Sequence, residues 1–232
     1  MTRHEDVADG LARVRARIAT ACEETGRDAT EVTLVVVTKF FPASDVRILA
    51  DLGVTHVGEN RHQEAADKAE ECVDLGLSWH YIGGLQSNKA AAVAAYADVV
   101  ESLDRMKVAR GLQRGAEQRD RNLDVLLQVS LDPPNAQGRA GVDPEGVLGL
   151  AAEVSALGSL HLTGLMAVAP WGEPPETAFG RLAVIREEFL TAHPTATTLS
   201  AGMSGDLEAA IHAGATHVRV GSAILGPRPQ DK

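Results

Sequence analysis

The sequence predicts an α/β fold built as a single (β/α)8 TIM barrel with an extra N-terminal helix. Two observations support this. Short apolar runs rich in β-branched residues alternate with amphipathic stretches, which is the pattern of successive β-α units. The chain has 232 residues, a length that suits one closed barrel, whereas an open doubly wound sheet with as many strands usually needs a longer chain. We therefore expect residues 1–232 to form a single domain.

Eight apolar runs are the predicted strands. The first lies in TLVVVTKF, which is short and β-branched, as expected of a strand buried on both faces of a parallel sheet. The predicted strands are 33–38, 56–59, 79–82, 98–102, 125–130, 162–169, 198–201 and 217–220.

One helical pattern precedes these strands and seven separate them. Ser44, Asp143 before Pro144, and Ser204 carry helix-start chemistry. Glycines that would end helices stand just past the periodic stretches, at Gly53, Gly76, Gly158 and Gly214. The predicted helices are 7–25, 44–52, 61–72, 87–96, 105–119, 144–156, 176–191 and 205–213.

Composition limits the function classes. A formal net charge of −10 argues against general nucleic-acid binding, which needs a basic surface to release counterions. The polar start MTRHEDVADG predicts no signal peptide, and no apolar run is long enough to span a membrane. The only cysteines, Cys22 and Cys72, indicate a reducing compartment, and no metal-ligand spacing occurs. We expect a cytoplasmic protein that binds neither nucleic acid nor membranes.

Lys39 follows the first predicted strand, at the edge where a barrel of this class carries its chemistry. A lysine is rarely buried without a partner. Burial that keeps part of its amine neutral would make it a nucleophile able to form a Schiff base with a carbonyl. The alternative is a lysine that reaches for solvent or a carboxylate.

The ends of the last two strands indicate a phosphate site. Ser204, Gly221 and Ser222 offer hydroxyls and backbone N–H groups in the loops after strands seven and eight, where barrels frequently bind phosphate. The alternative is a plain helix cap at Ser204 and a tight turn at Gly221. Arg219 alternates with Val218 and Val220, so that its guanidinium would face the barrel interior or mouth. Two roles stay open for it: an internal salt bridge with Glu59 or Glu101, or donation to a ring nitrogen or a substrate anion.

The segments TKFFP, HVGENRHQEAADK, WHYIGGLQSNK, GLMAVAP, LSAGMSGDLEAAI and GATHVRVGSAILG resemble the pyridoxal phosphate homeostasis protein family over nearly the whole chain. The resemblance implies a barrel like the N-terminal domain of alanine racemase, with pyridoxal 5′-phosphate (PLP) held as an internal aldimine. By position, Lys39 matches the Schiff-base lysine, and Arg219 matches the residue facing the pyridine nitrogen. The phosphate cradle would be Ser204, Gly221 and Ser222. The positions expected to line the pocket are Asn60, His80 and Met203.

The resemblance implies intracellular PLP homeostasis, as a carrier or buffer with little or no turnover and with PLP-dependent apoenzymes as partners. An arginine at the ring nitrogen disfavours carbanion chemistry, and neither Tyr81 nor Tyr96 is placed to act as a racemase's second base. We expect a monomer. Two alternatives stay open: a weak amino-acid racemase, and a Schiff-base aldolase acting on a phosphorylated sugar.

Three positions depart from the family pattern. Gly84 stands where many relatives have a larger residue, and Ala201 replaces a common methionine. Arg139 stands where some relatives have a lysine thought to handle the cofactor, and arginine cannot form a Schiff base.

Overall fold

The structure, a computed structural model, describes residues 2–133 and 141–228. Within these ranges eight parallel strands form a closed barrel in which each strand pairs with the next along the chain and the last pairs with the first. This confirms the predicted (β/α)8 barrel. The strands are β1 (Thr33–Val37), β2 (His56–Glu59), β3 (Ser78–Tyr81), β4 (Val99–Leu103), β5 (Leu123–Gln128), β6 (Leu160–Met166), β7 (Thr198–Ser200) and β8 (His217–Val220).

Helices follow the strands around the barrel, and one precedes β1, as predicted. The helices in the described ranges are α1 (Arg3–Glu24), α2 (Ala43–Asp51), α3 (His62–Glu71), α4 (Ala90–Ala94), α5 (Met106–Arg119), α6 (Val147–Ser155), α7 (Pro175–Ala192), α8 (Leu207–His212) and α9 (Ser222–Leu225). Helix α4 is much shorter than the predicted 87–96, because residues 87–89 form a turn. The Lys89 N–H closes this turn by donating to the Gln86 carbonyl at 2.9 Å.

Two of the predicted helix starts are wrong. Helix α2 begins one residue before Ser44 and α8 begins after Asp206, so neither Ser44 nor Ser204 caps a helix. Asp206 instead closes the turn before α8, where its carboxylate accepts the Met203 N–H at 2.5 Å. Pro144 does stand at a helical start, in a short 3-10 turn that leads into α6. Ser204 is therefore not explained by a capping role.

Alternation along the strands separates an outer apolar face from the barrel interior. Val36, Val218 and Val220 belong to the apolar cluster that includes α1 residues such as Leu11. On the other face, a Cβ built on Gly58 would lie 3.1 Å from Val35 Cγ1. Because successive residues of a strand point to opposite faces, Val218 and Val220 packing outward turns Arg219 into the barrel, as predicted.

Helix α1 packs across the end of the chain that follows β8. Gly10 makes this possible, because a Cβ there would lie 2.4 Å from the Ile224 carbonyl oxygen of α9. Arg17 adds a bidentate pair with Glu208 of α8, at 2.6 and 2.8 Å, and donates to the Ser204 carbonyl at 3.0 Å. The extra helix therefore supports the loop after β7.

The structure also bears on the compositional expectations. Cys22 and Cys72 are both buried and unpaired. None of the helices in the described ranges is long and apolar enough to cross a bilayer. Within the same ranges no group of three or more His, Cys, Asp or Glu side chains is arranged to hold a metal ion.

Candidate functional site

The carboxyl ends of the strands form one rim, and most of the predicted site residues stand on it. Lys39 lies two residues after β1, and Asn60 follows β2 directly. The loop after β8 is held against the end of β1, since a Cβ built on Gly221 would lie 3.0 Å from the Val37 carbonyl oxygen. Barrel closure therefore brings Gly221 against the strand end that leads to Lys39, although the chain separates them widely.

Lys39 is half-buried and unpaired. In the ranges 2–133 and 141–228 its Nζ has no hydrogen-bond or salt-bridge partner and lies 6.0 Å from the centre of the Phe40 ring. Burial lowers the pKa of the Lys39 amine below its usual value, and the charge of Arg228 lowers it further, against opposing effects of Glu59 and Glu64. A larger share of this amine is therefore neutral and nucleophilic than in an exposed lysine.

Phe40 contacts three cations. Besides Lys39, the guanidinium carbons of Arg61 and Arg228 lie 5.2 and 4.7 Å from its ring centre. Its φ of 71° is unusual for a residue with a side chain. The Phe40 N–H donates to Glu64 at 2.5 Å, so α3 helps to hold this turn. The cluster places three cationic side chains at the rim, with Glu64 beside them.

A second lysine nearby, Lys68 of α3, has the opposite environment. Its Nζ donates to Glu59 Oε1 at 2.6 Å, to Glu64 Oε1 at 2.7 Å and to the Thr38 carbonyl at 2.7 Å. The three acceptors occupy all three N–H bonds of the Lys68 ammonium, which suits a structural role. Lys39, which lacks acceptors, is therefore the candidate nucleophile. Sequence reasoning missed Lys68, whose only signal was a lysine in a helix facing the strand that ends in Glu59.

The residues predicted to cradle a phosphate lie in the loops after β7 and β8. The N–H groups of Ser222 and Ala223 are the first of α9, where a helix has no acceptor of its own for them. Ser204 is partly exposed, and a Cβ built on Gly205 would meet no atom within 4 Å. The two loops thus carry hydroxyl and N–H groups of the kind that donate hydrogen bonds to a phosphate.

Asn60 and Met203 lie on the same rim, in the loops after β2 and β7. The Asn60 side-chain oxygen is buried and has no hydrogen-bond partner in the described part of the chain. Such an atom lowers stability unless a ligand or water completes its bonding. Met203 is 40% exposed, unusual for a large apolar side chain, and it stands next to Ser204. An unpaired amide oxygen and an uncovered apolar surface at one rim both fit a bound molecule.

Arg219 is buried inside the barrel. Its Nη1 donates to Ser200 Oγ at 2.6 Å and lies 3.7 Å from Glu101 Oε2, and its Nη2 donates to the Ala167 carbonyl at 2.9 Å. The predicted ion pair with Glu101 is therefore present. Burial lowers the pKa of Arg219 and the charge of Glu101 opposes this. A role toward a ring nitrogen is compatible with this ion pair.

His80 lies deeper than the rim residues. It is buried, with its Nδ1 2.7 Å from Glu101 Oε1 and its Nε2 2.9 Å from His56 Nδ1. His217 stands against both histidines, with ring centres 6.2 Å from His80 and 6.5 Å from His56. Sequence reasoning missed His56 and His217. Their signal was the repeated THV in GVTHVGEN and GATHVRVG, which places a histidine at the same position of two barrel strands.

The two tyrosines make poor bases. Burial raises the pKa of Tyr81, whose hydroxyl donates to the Asn60 carbonyl at 3.4 Å. Burial also raises the pKa of Tyr96, whose hydroxyl has no partner in the described ranges. Both phenols therefore stay protonated at neutral pH. Arg139 lies outside the described residues.

Comparison with known proteins identifies the relatives. The family model described as the N-terminal domain of alanine racemase matches residues 11–229. A Pseudomonas aeruginosa protein named pyridoxal phosphate homeostasis protein is 43% identical, with 96% of each chain aligned. The structure of PipY from Synechococcus elongatus with PLP bound is 34% identical, covers 95% of this chain and all of that one (100%), and has a TM-score of 0.82.

A more distant solved structure shows the same fold. Alanine racemase from Clostridium difficile is 13% identical, with a TM-score of 0.72 over 98% of this chain and 61% of that one. The near relatives share both sequence and length with this chain. The chain belongs to the pyridoxal phosphate homeostasis protein family.

Proposed function

We propose that this protein binds PLP covalently through Lys39 and acts in intracellular PLP homeostasis as a carrier or buffer of the cofactor, with little or no turnover of its own. The observation that carries the proposal is the half-buried Lys39 amine, unpaired in the described ranges, on the same rim as the loops that hold Ser204 and Ser222. Support comes from the relatives that are named for PLP homeostasis and from PipY, whose structure contains PLP.

Each rim residue has a role in this proposal. Lys39 attacks the aldehyde carbon of PLP and water leaves, which needs a neutral amine. Ser204, Gly221 and Ser222 hold the phosphate through hydroxyl and N–H groups. Bound PLP supplies an electron sink for amino-group chemistry.

Other residues surround the ring. Asn60 and Met203 flank it, and Arg219 donates toward the pyridine nitrogen. We place His80 behind Arg219, with Glu101 between them, and so assign it to support of the site. The positive charges of Arg61 and Arg228 beside Phe40 would attract the anionic cofactor to the opening.

Low turnover follows from the side chains available. Arginine donates hydrogen bonds but does not readily give up a proton, so Arg219 would leave the ring nitrogen unprotonated and limit electron withdrawal. Tyr81 and Tyr96 stay protonated and are engaged elsewhere or buried. Lys39 is then the one base that the proposal places beside the reacting carbon. We further propose a monomeric, single-domain, cytoplasmic protein that passes PLP to apoenzymes.

The test is a visible spectrum of the purified protein, followed by borohydride reduction and peptide mapping. A yellow protein carrying a phosphopyridoxyl group on Lys39 is expected. Lys39→Ala should lose the label, whereas the control Lys89→Ala, which changes an exposed lysine, should keep it. A colourless protein that PLP cannot reconstitute would contradict the proposal and favour the sugar-phosphate aldolase.

Turnover is tested separately. The loaded protein is incubated with L- and D-amino acids in deuterium oxide, and exchange at the α-carbon is followed by NMR. We expect little exchange over the uncatalysed background. Fast exchange with inversion would replace the carrier by a racemase.

A further inference from the structure

A continuous hydrogen-bonded network crosses the barrel interior. It runs from His56 to His80 at 2.9 Å, from His80 to Glu101 at 2.7 Å, from Glu101 to Ser200 at 2.6 Å and from Ser200 to Arg219 at 2.6 Å. These five residues, called here the interior network, come from strands β2, β3, β4, β7 and β8. All except the half-buried His56 are at most 4% exposed.

The direction of each bond follows from the chemistry of the groups. A carboxylate only accepts, so His80 Nδ1 and the Ser200 hydroxyl both donate to Glu101. Ser200 Oγ in turn accepts from Arg219, which only donates. His80 Nε2 and His56 Nδ1 share the remaining hydrogen bond, in which one nitrogen donates and the other accepts. Two arms of the network therefore meet at Glu101: His56 and His80 form one, and Ser200 and Arg219 form the other. They approach Glu101 from opposite ends of the barrel.

Glu101 carries the negative charge of the network. Burial acts to raise the pKa of Glu101, but the bond and charge of His80, the charge of Arg219 and the Ser200 hydroxyl outweigh burial and hold the pKa well below its usual range. A buried carboxylate in this setting fixes the groups that donate to it, because a lost donor would leave charge unpaired in a medium of low dielectric.

The other end of the network reaches a cavity at the amino ends of the strands. His56 lines this cavity of about 440 Å³ together with Thr33 and Thr55. The charged or titratable groups that act on His56 are His80, Glu101 and Asp98, and the His217 ring stands against it. On Arg219 the acting charges are Glu101 and Asp206.

We propose that Glu101 is a positioning residue for Arg219, and that His80 and His56 connect this carboxylate to solvent at the opposite end of the barrel. The proposal rests on the assignment of Arg219 to the ring nitrogen of PLP. Uptake of a proton by His56 adds positive charge to the arm opposite Arg219. The Glu101 carboxylate then interacts with positive charge on both arms, and its interaction with Arg219 changes. Through Arg219 this change reaches the pyridine nitrogen of PLP.

The experiment uses Glu101→Gln and His56→Gln, with His212→Gln as the matched control. His212 also pairs with a carboxylate, Glu24 at 2.9 Å, but on the surface. Imidazole signals are titrated by NMR without PLP, and the visible absorbance of the loaded protein is recorded against pH.

We expect the absorbance of bound PLP to show a pH step at the His56 titration midpoint. The step should be lost in Glu101→Gln and His56→Gln and kept in His212→Gln. In the protein without PLP, Glu101→Gln should move the His56 midpoint to lower pH, because the carboxylate favours protonated His56.

Three outcomes would overturn the proposal: an absorbance curve that is the same in all variants, no step in the loaded wild type, or a His56 midpoint that Glu101→Gln leaves in place. If Glu101→Gln does not fold, Ser200→Ala tests the Arg219 arm, since it removes the bridging hydroxyl and keeps the carboxylate. It should change the absorbance step and leave the His56 midpoint nearly unchanged. A protein that never binds PLP refutes the proposed function, while the titration without PLP still decides the link between His56 and Glu101.

Discussion

Replacement of Lys68 by methionine tests the buried ion pairs beneath the rim. The Lys68 and Glu59 side chains are 7% and 1% exposed and lie 2.6 Å apart. Methionine keeps much of the apolar stem but removes the ammonium. Glu59 would retain the Thr38 hydroxyl at 2.7 Å, while its second oxygen already lacks a partner in the described residues. Breaking a buried pair in this way costs about 3–5 kcal/mol.

The loss is measured by thermal and chemical denaturation. A change of 1 kcal/mol moves Tm by roughly 2–4 °C in a chain of this size, so Lys68→Met should lower Tm by about 6–20 °C. The control Arg47→Met breaks the surface pair with Asp74, and we expect a much smaller change because exposed pairs add little stability. The double variant Lys68→Met/Glu59→Gln should recover part of the loss, since no charge is left unpaired.

The deficit should also depend on pH. Burial already raises the pKa of Glu59, and Lys68 opposes this, so the pKa rises further in Lys68→Met. A carboxyl that binds its proton more tightly when folded destabilises the protein above its folded pKa, and this cost fades on acidification. The deficit should therefore shrink from neutral to acidic pH. A loss no larger than that of Arg47→Met, and equal at both pH values, would refute the reasoning.

Three further predictions concern the rim and the interior. Gly83→Ala should lower the free energy of unfolding by about 1–3 kcal/mol, because its Cβ would lie 2.4 Å from the Asn60 carbonyl oxygen. In the control Gly84→Ala the Cβ meets no atom within 4 Å, so chemical denaturation should change little. Equal losses of stability in the two variants would contradict this. Lys39→Ala should abolish the lysine-bound chromophore in visible spectra and leave Tm nearly unchanged, and a large drop in Tm would show that Lys39 is structural. Burial lowers the pKa of His217 to about 4, so the unfolded chain binds more protons than the folded one between that pH and about 6.5. Stability should therefore fall as pH falls through this window. His217→Asn should flatten the plot of unfolding free energy against pH, and an unchanged slope would contradict the reasoning.

The barrel was predictable because hydrophobic periodicity marks parallel strands clearly. Strands β2 and β8 have the predicted bounds, His56–Glu59 and His217–Val220. Strand β6 was placed too late, at 162–169 rather than Leu160–Met166. Residues 167–169 are apolar, yet they lie in the loop that follows the strand. Composition alone does not distinguish apolar residues of a strand from apolar residues of the loop that follows it.

The rim positions of Lys39 and of the loops after β7 and β8 were predictable from the strand ends, while their roles toward a lysine-bound cofactor and a phosphate stay predictions. The residues that contact these rim residues or act on their charge were not predictable, because they belong to a helix, to the segment after the last helix or to a strand distant in sequence. Arg228 follows the last helix and nonetheless lowers the pKa of Lys39. Glu101 was considered only as one of two acids for Arg219, and its bonds to His80 and Ser200 depend on how three strands are aligned around the barrel. Such contacts need the register of the closed sheet.

The pairing of β1 with β8, which sets Val35 beside Arg219, has a consequence for the order of assembly in the cell. At about 5–20 residues per second, a ribosome reaches Ser222 roughly 10–40 s after Lys39. Under the proposed function, Lys39 would exist during that time without the loop proposed to hold the phosphate, and the growing chain would have no complete PLP site. Retention of PLP would therefore require β8 to join β1, so that only closed barrels would hold the cofactor.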